Sequence, residues 1–310
     1  MARRSRATST GKAHRFGGDW TQTKLDVLSD YLAAYTRALK DKPTAARPFR
    51  KAYIDAFAGT GYRTLRGERD EGAASSNLLF PDLADAAPQQ LLDGSARLAL
   101  KVEPRFDRYI FVERDPDRCR ELEALKAEFP HLAADIRVEP GEANEQIRKI
   151  CAKDWGAHRA VLFLDPYGMQ VEWQTIEAIA KTKAIDLWLL FPLGIGVSRL
   201  LTRSGTIPKG WRARLDTLLG TTDWYDEFYR IEHTPNLFGS DEERVVKATN
   251  ETIARYFNKR LESIFAGVAE PGVLRNSANN PLYLLCFAVG NERGKDIALR
   301  IANHLLKEVH

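Results

Sequence analysis

The chain has 310 residues, 44% hydrophobic and 28% charged, which is ordinary globular composition for one elaborated α/β domain or two small ones. No apolar run reaches the length of a membrane span, since the longest, residues 184–197, is broken by Asp186 and Pro192, and no apolar core follows the basic N-terminal residues as a secretory signal would need. Three widely spaced cysteines, with no C-x-x-C pair, argue against a zinc site or a disulfide framework and fit a reducing cytoplasm.

The net charge is +4, and Arg3, Arg4, Arg6, Lys12 and Arg15 supply five positive charges over residues 1–18 with no acid, so the rest of the chain stands at −1. The first 18 residues read as a basic arm, either one that tracks phosphates or a solvated tail. Residues 20–40 follow as an amphipathic helix, with Leu25, Leu28, Leu32 and Leu39 at helical spacing and Tyr31 and Tyr35 extending the stripe. Pro43 and Pro48 end it.

Lys51-Ala-Tyr-Ile-Asp-Ala-Phe-Ala-Gly-Thr-Gly-Tyr62 is the stretch around which the chain is organised. It reads as a buried strand over 52–56 running into a turn that carries Gly59 and Gly61. Glycine there lets bare backbone approach a ligand at the carboxyl edge of a sheet. Residues 62–93 read as an inserted loop, and 94–102 as a helix capped by Ser95. Residues 108–113 are a second strand ending on Glu113, and Asp115-Pro116 opens a helix that runs to Glu128. Strands at 136–139, 159–165 and 185–191 alternate with helices at 143–152 and 173–180. Residues 197–270 then offer only helical patches, at 211–219, 223–229 and 243–259, with no clear strand. A late strand at 281–289 and a helix at 293–308 close the chain.

Alternation of strands and helices over 50–191 implies a mainly parallel sheet with helices on both faces, whose ligand lies beyond the carboxyl ends of the strands. The organisation expected is an arm at 1–18, a core at 19–196, a helical insertion or cap at 197–275, and 276–310 completing the core. Four strands leave polar or glycine signals at one edge: Asp55 with Gly59 and Gly61, Glu113, Asn144, and Asp165. An acid at the tip of the second strand can grip both hydroxyls of a ribose. A nicotinamide site fits poorly, because Glu113 follows Gly61 by 52 residues and Thr64 stands where a third glycine would be.

Asp165-Pro166-Tyr167-Gly168 is the second telling feature. The lone pair of an exocyclic nucleobase amine is delocalised into the ring. A carboxylate and a nearby carbonyl accepting its N–H bonds favour the pyramidal form, and a stacked aromatic holds the base plane. The histidines show no ligand spacing, so no metal is expected.

These residues resemble the class I S-adenosylmethionine-dependent methyltransferase fold, of Rossmann type. Asp55-x-Phe57-x-Gly59-x-Gly61 resembles its first motif, which implies cofactor contacts there, at Glu113 for the ribose and at Asn144 beside the adenine. Asp165, Pro166 and Tyr167 resemble the catalytic motif of amino-methyltransferases, closest to the form in tRNA guanine-N2 enzymes. More narrowly, five ordered stretches are similar to the three-Cys-motif partner protein (TcmP) family: Trp20-Thr-x-x-Lys24-Leu25, residues 53–61, 109–113, 163–170 and 186–192. That resemblance implies a genomic partner with a three-cysteine motif.

Two functions follow as expectations. One is methyl transfer to a nucleobase amine of DNA or RNA, with phosphate contacts from the arm and from Arg63, Arg66 and Arg69. The other is a binding module that serves a partner protein through 197–270, where Trp211, Trp224, Tyr225, Phe228 and Tyr229 either form a surface or pack the segment's own core.

Overall fold

The computed structural model describes residues 19–58, 88–235 and 241–309. The arm, Gly59, Gly61 and the loop arginines 63, 66 and 69 lie outside them. After helix α1 (Asp19–Ala38), five strands alternate with four helices: β1 (Arg50–Ala56), α2 (Pro88–Leu100), β2 (Arg108–Glu113), α3 (Pro116–Glu128), β3 (Ile136–Pro140), α4 (Ala143–Cys151), β4 (His158–Leu164), α5 (Trp173–Lys181) and β5 (Ile185–Phe191). The strands pair as β3-β2-β1-β4-β5, all parallel. That is a doubly wound α/β order, reversing between β1 and β4. Beyond β5 the late strand β10 (Pro281–Val289) pairs antiparallel. This is the class I methyltransferase-like, Rossmann-type α/β arrangement.

Local chemistry explains the elements. β5 is buried at every residue, as a central parallel strand must be. Asp115 caps α3 by accepting from the amides of Asp117 and Arg118, with Pro116 at the first helical position. Glu142 caps α4 through the amides of Asn144 and Glu145. Alternate strand residues feed two cores. Tyr53, Phe111, Phe163 and Trp188 pack with Leu28 and Leu32 of α1 and with Ala99 of α2. Ile54, Leu162 and Leu187 pack on the other face with Ile147 of α4 and Ile176 of α5.

Several expectations are corrected. α2 begins at Pro88 rather than residue 94, so Ser95 is a buried interior residue and not a cap. Gly94 sits inside the helix because α1 presses on it there: an added Cβ would lie 2.7 Å from Leu25 Cδ1. The segment after β5 is not wholly helical. It carries α6 (Lys209–Leu219), α7 (Trp224–Phe228), a hairpin of β6 (Tyr229–Pro235) and β7 (Asp241–Lys247), and α8 (Asn250–Glu262). The expected helix from 243 starts only at Asn250, because Val245 and Val246 pair across the hairpin with Ile231 and Arg230. Two short strands, β8 (Gly267–Val268) and β9 (Gly272–Arg275), pair with β10 and so rejoin the central sheet before residue 276. Trp224 and Phe228 are fully buried, and Trp211, Tyr225 and Tyr229 pack with them, so these aromatics fill a core rather than form a surface. Helix α9 (Lys295–Leu306) closes the α1 face. Among the described residues no helix is long and apolar enough to cross a membrane.

A buried polar latch fastens α1 to the amino-terminal edge of the sheet. Tyr31 donates its hydroxyl to Asp186 Oδ2 at 2.9 Å, and the Gly290 amide donates to Oδ1 at 3.2 Å. Burial pushes the Asp186 carboxyl up to about 6, against those hydrogen bonds and the Arg159 charge, which hold it down. Removing the Tyr31 hydroxyl leaves half of a buried carboxylate unsatisfied. Tyr31→Phe should therefore lose about 1–3 kcal/mol in urea unfolding at neutral pH. An unchanged midpoint would show that the latch contributes nothing.

Candidate functional site

Because β1 to β5 run parallel, their carboxyl ends share one edge of the sheet. β1 lies between β2 and β4, with Asp55 level with Phe111 on one side and Phe163 on the other. Side chains alternate along a strand, so Asp55, Glu113 and Asp165 lie on the face of Phe111 and Phe163, under α1 and α2. The structure thus brings three of the expected acids to one edge and one face.

Asp55 is buried. Tyr53 donates its hydroxyl to Asp55 Oδ2 at 3.0 Å. Burial pushes its carboxyl up to about 7, with the Asp165 charge adding to the effect, while hydrogen bonds from Ser95 and Tyr53 and the Lys24 charge oppose it. Phe57 follows in the left-handed region, at φ 67°, an uncommon backbone for a residue with a side chain. Its ring belongs to the core on the opposite face, so its backbone is what a ligand at this edge would meet. The Ala58 amide donates to the Val112 carbonyl at 3.1 Å, which ties the turn to β2.

Glu113 is only 2% exposed at the tip of β2. Its Oε1 accepts from the amides of Arg114 and Asp115, both at 2.7 Å. Oε2 is buried with no hydrogen-bond partner among the described residues. Burial raises the carboxyl above its ordinary range, and the two amides act against this. A carboxylate oxygen so placed needs a donor, because burying it bare costs a few kcal/mol.

Asn144 is buried, and its side chain is engaged inside the fold. Its Nδ2 donates to Glu142 Oε1 at 2.8 Å and to the Gln170 carbonyl at 2.9 Å. Its Oδ1 accepts from the Glu172 amide and the Thr175 hydroxyl, both at 3.0 Å. Every hydrogen-bonding position of the amide is used within the fold. The side chain fixes the loop after β4 and the start of α5.

That loop opens with Asp165-Pro166-Tyr167-Gly168. Pro166 is buried, Tyr167 half-buried, and Gly168 holds φ 65° with nothing within 4 Å of an added Cβ. Asp165 meets a residue that no site argument from sequence singled out. Lys24 of α1 is 1% exposed, and its Nζ donates to Asp165 Oδ2 at 2.5 Å. The ammonium also lies 5.5 Å from the ring centre of Trp20 and 5.8 Å from that of Phe163. The signal was a lysine inside an apolar helix stripe, next to Leu25.

No protein-family model matches the chain, and no curated protein matches it. Among solved structures it is similar to protein LPL1258 of Legionella pneumophila, at 14% identity and TM-score 0.36, over 78% of this chain and 94% of that one. It is also similar to the O-methyltransferase TomG of Streptomyces achromogenes, solved in complex with SAM, at 11% identity and TM-score 0.32, over 76% and 92%. Both scores are low, and the fold assignment rests on strand order and direction.

The raised carboxyl of Asp55 has a consequence for stability. An unfolded chain releases that proton near the ordinary carboxylate value, about 3.9. The folded chain keeps it up to about 7. Between these values the folded state binds more protons, so stability falls as pH rises and levels off above the folded value. Asp186 adds the same sign up to about 6 and is unchanged by substitution at Asp55. The fall in urea midpoint from about pH 4.5 to about pH 7.5 should therefore be smaller in Asp55→Asn than in the wild type. Equal falls would mean that Asp55 titrates normally.

Proposed function

We infer that the chain is an S-adenosylmethionine-dependent N-methyltransferase acting on an exocyclic amine of a nucleobase in DNA or RNA. The observation that carries this reading is Glu113 Oε2, a buried carboxylate oxygen without a partner among the described residues, at the tip of the strand next to β1. A ribose diol supplies the donors that such an oxygen lacks. When bound, the cofactor supplies an electrophilic methyl group on a sulfonium.

The chain's own residues then divide the work. Glu113 accepts from the ribose hydroxyls, while Phe57 and Ala58 offer backbone at close approach, and Gly59 and Gly61, next in the sequence, carry no side chain to block it. Asp165 accepts an N–H bond of the amine through Oδ1, since Oδ2 is taken by Lys24. The Pro166 carbonyl can accept a second N–H, and Tyr167 stacks on the base. No strong base is called for, because the methyl donor is already activated and placement does most of the work. The arm of residues 1–18 supports a nucleic-acid substrate through its five basic residues.

One observation favours a second reading, in which the chain serves a three-Cys-motif partner as the TcmP resemblance implies. Ile231 is 61% exposed and lies opposite Val245, 38% exposed, on the β6–β7 hairpin. An apolar cross-strand pair open to water is a natural seat for another protein.

Calorimetric titration separates the cofactor reading from its absence. Wild-type protein should bind S-adenosylmethionine with micromolar affinity. Glu113→Ala should bind at least about tenfold more weakly, as expected for lost hydrogen bonds to a charged group. Absence of heat with the wild type, or equal affinity in the variant, would overturn the assignment of Glu113.

A further inference from the structure

Lys24 is the one charged residue buried on α1, where Leu25, Leu28, Tyr31, Leu32, Tyr35 and Thr36 are also buried. An ammonium in that position is costly to bury, and a buried ion pair is weak support for a stabilising role, since an apolar residue of like size would pack as well. Its geometry points elsewhere. Lys24 Nζ donates to Asp165 Oδ2 at 2.5 Å between the rings of Trp20 and Phe163. Its charge also acts on Asp55, whose neighbour on the adjacent strand tip is Asp165. Asp165 keeps 29% side-chain exposure, so its outer side stays open to an incoming group.

We propose that Lys24 is a positioning residue for the methyl acceptor, holding Asp165 by Oδ2 so that Oδ1 alone is presented as a hydrogen-bond acceptor. This rests on the methyltransferase reading above. A carboxylate pinned in this way admits groups that carry an N–H donor and turns away carbonyls and carboxylates, which would meet it acceptor to acceptor. It also fixes the direction of the one accepted bond, and in-line methyl transfer is sensitive to misplacements of about 1 Å.

A double-mutant cycle tests it. Wild type, Lys24→Met, Asp165→Asn and the double variant are each titrated with S-adenosylmethionine, melted, and assayed with radiolabelled cofactor on bulk tRNA and on unmethylated plasmid DNA. The double variant removes both charges, so it leaves no bare buried ion and keeps the comparison open if Lys24→Met folds poorly. Lys24→Met should transfer methyl groups at least about 100-fold more slowly. Its cofactor affinity should stay within about twofold of the wild type, because Glu113 is untouched. In the Asp165→Asn background the same substitution should add no further loss, as for residues acting through one another. Additive losses, or an active Lys24→Met with undiminished transfer, would overturn the role. A purely structural lysine would instead lower melting temperature and transfer together in both backgrounds. Wild-type protein that binds cofactor but methylates neither pool would overturn this role and leave the cofactor site standing. Wild-type protein that binds no cofactor would overturn both.

Discussion

The pairing of β1 with β2 on one side and β4 on the other is the constraint on which the site depends. From β1 the chain passes to β2 on one side and from β4 to β5 on the other, so the strand order switches between β1 and β4, where open α/β sheets bind their ligands. The same pairing fixes register. Asp55 stands level with Phe111 and Phe163, and this sets Glu113 and Asp165 two residues further along on the same face. A slip of one residue in either ladder would turn an acid into the opposite core.

Electrostatics then distinguishes the two ends of the sheet. At the amino edge Asp186 is satisfied from both sides, by Tyr31 and by the Gly290 amide. That is how a structural buried carboxylate is expected to look. At the carboxyl edge the balance is incomplete. Glu113 has one oxygen met by two amides and one without a partner among the described residues, and Asp165 has one oxygen met by Lys24. Buried carboxylates with raised proton affinity cluster at functional sites.

Much of this was legible in the sequence because it rests on local rules. Val161-Leu-Phe-Leu164 has no polar residue and Ile185 to Phe191 has one, Asp186, so both read as buried parallel strands. Asp115-Pro116 announced α3, and the acids at strand ends announced the edge. What stayed hidden depends on distant partners. Residues 241–247 are rich in helix formers, and only pairing with 229–235 makes them a strand. Asn144 carries a motif-like position, yet its amide is consumed by Gln170, Glu172 and Thr175, more than twenty residues away in the chain. Lys24 meets Asp165 across 141 residues, which no spacing rule can foresee.

If the carboxyl edge around β1 and β2 takes the cofactor, hydrogen exchange read by mass spectrometry will register it. S-adenosylmethionine should slow exchange of the amides at Phe57, Ala58, Arg114 and Asp115, and leave those at the amino edge near Ile185 and Gly290 unchanged. Protection confined to the amino edge or to the β6–β7 hairpin, or no protection at saturating cofactor, would contradict the account.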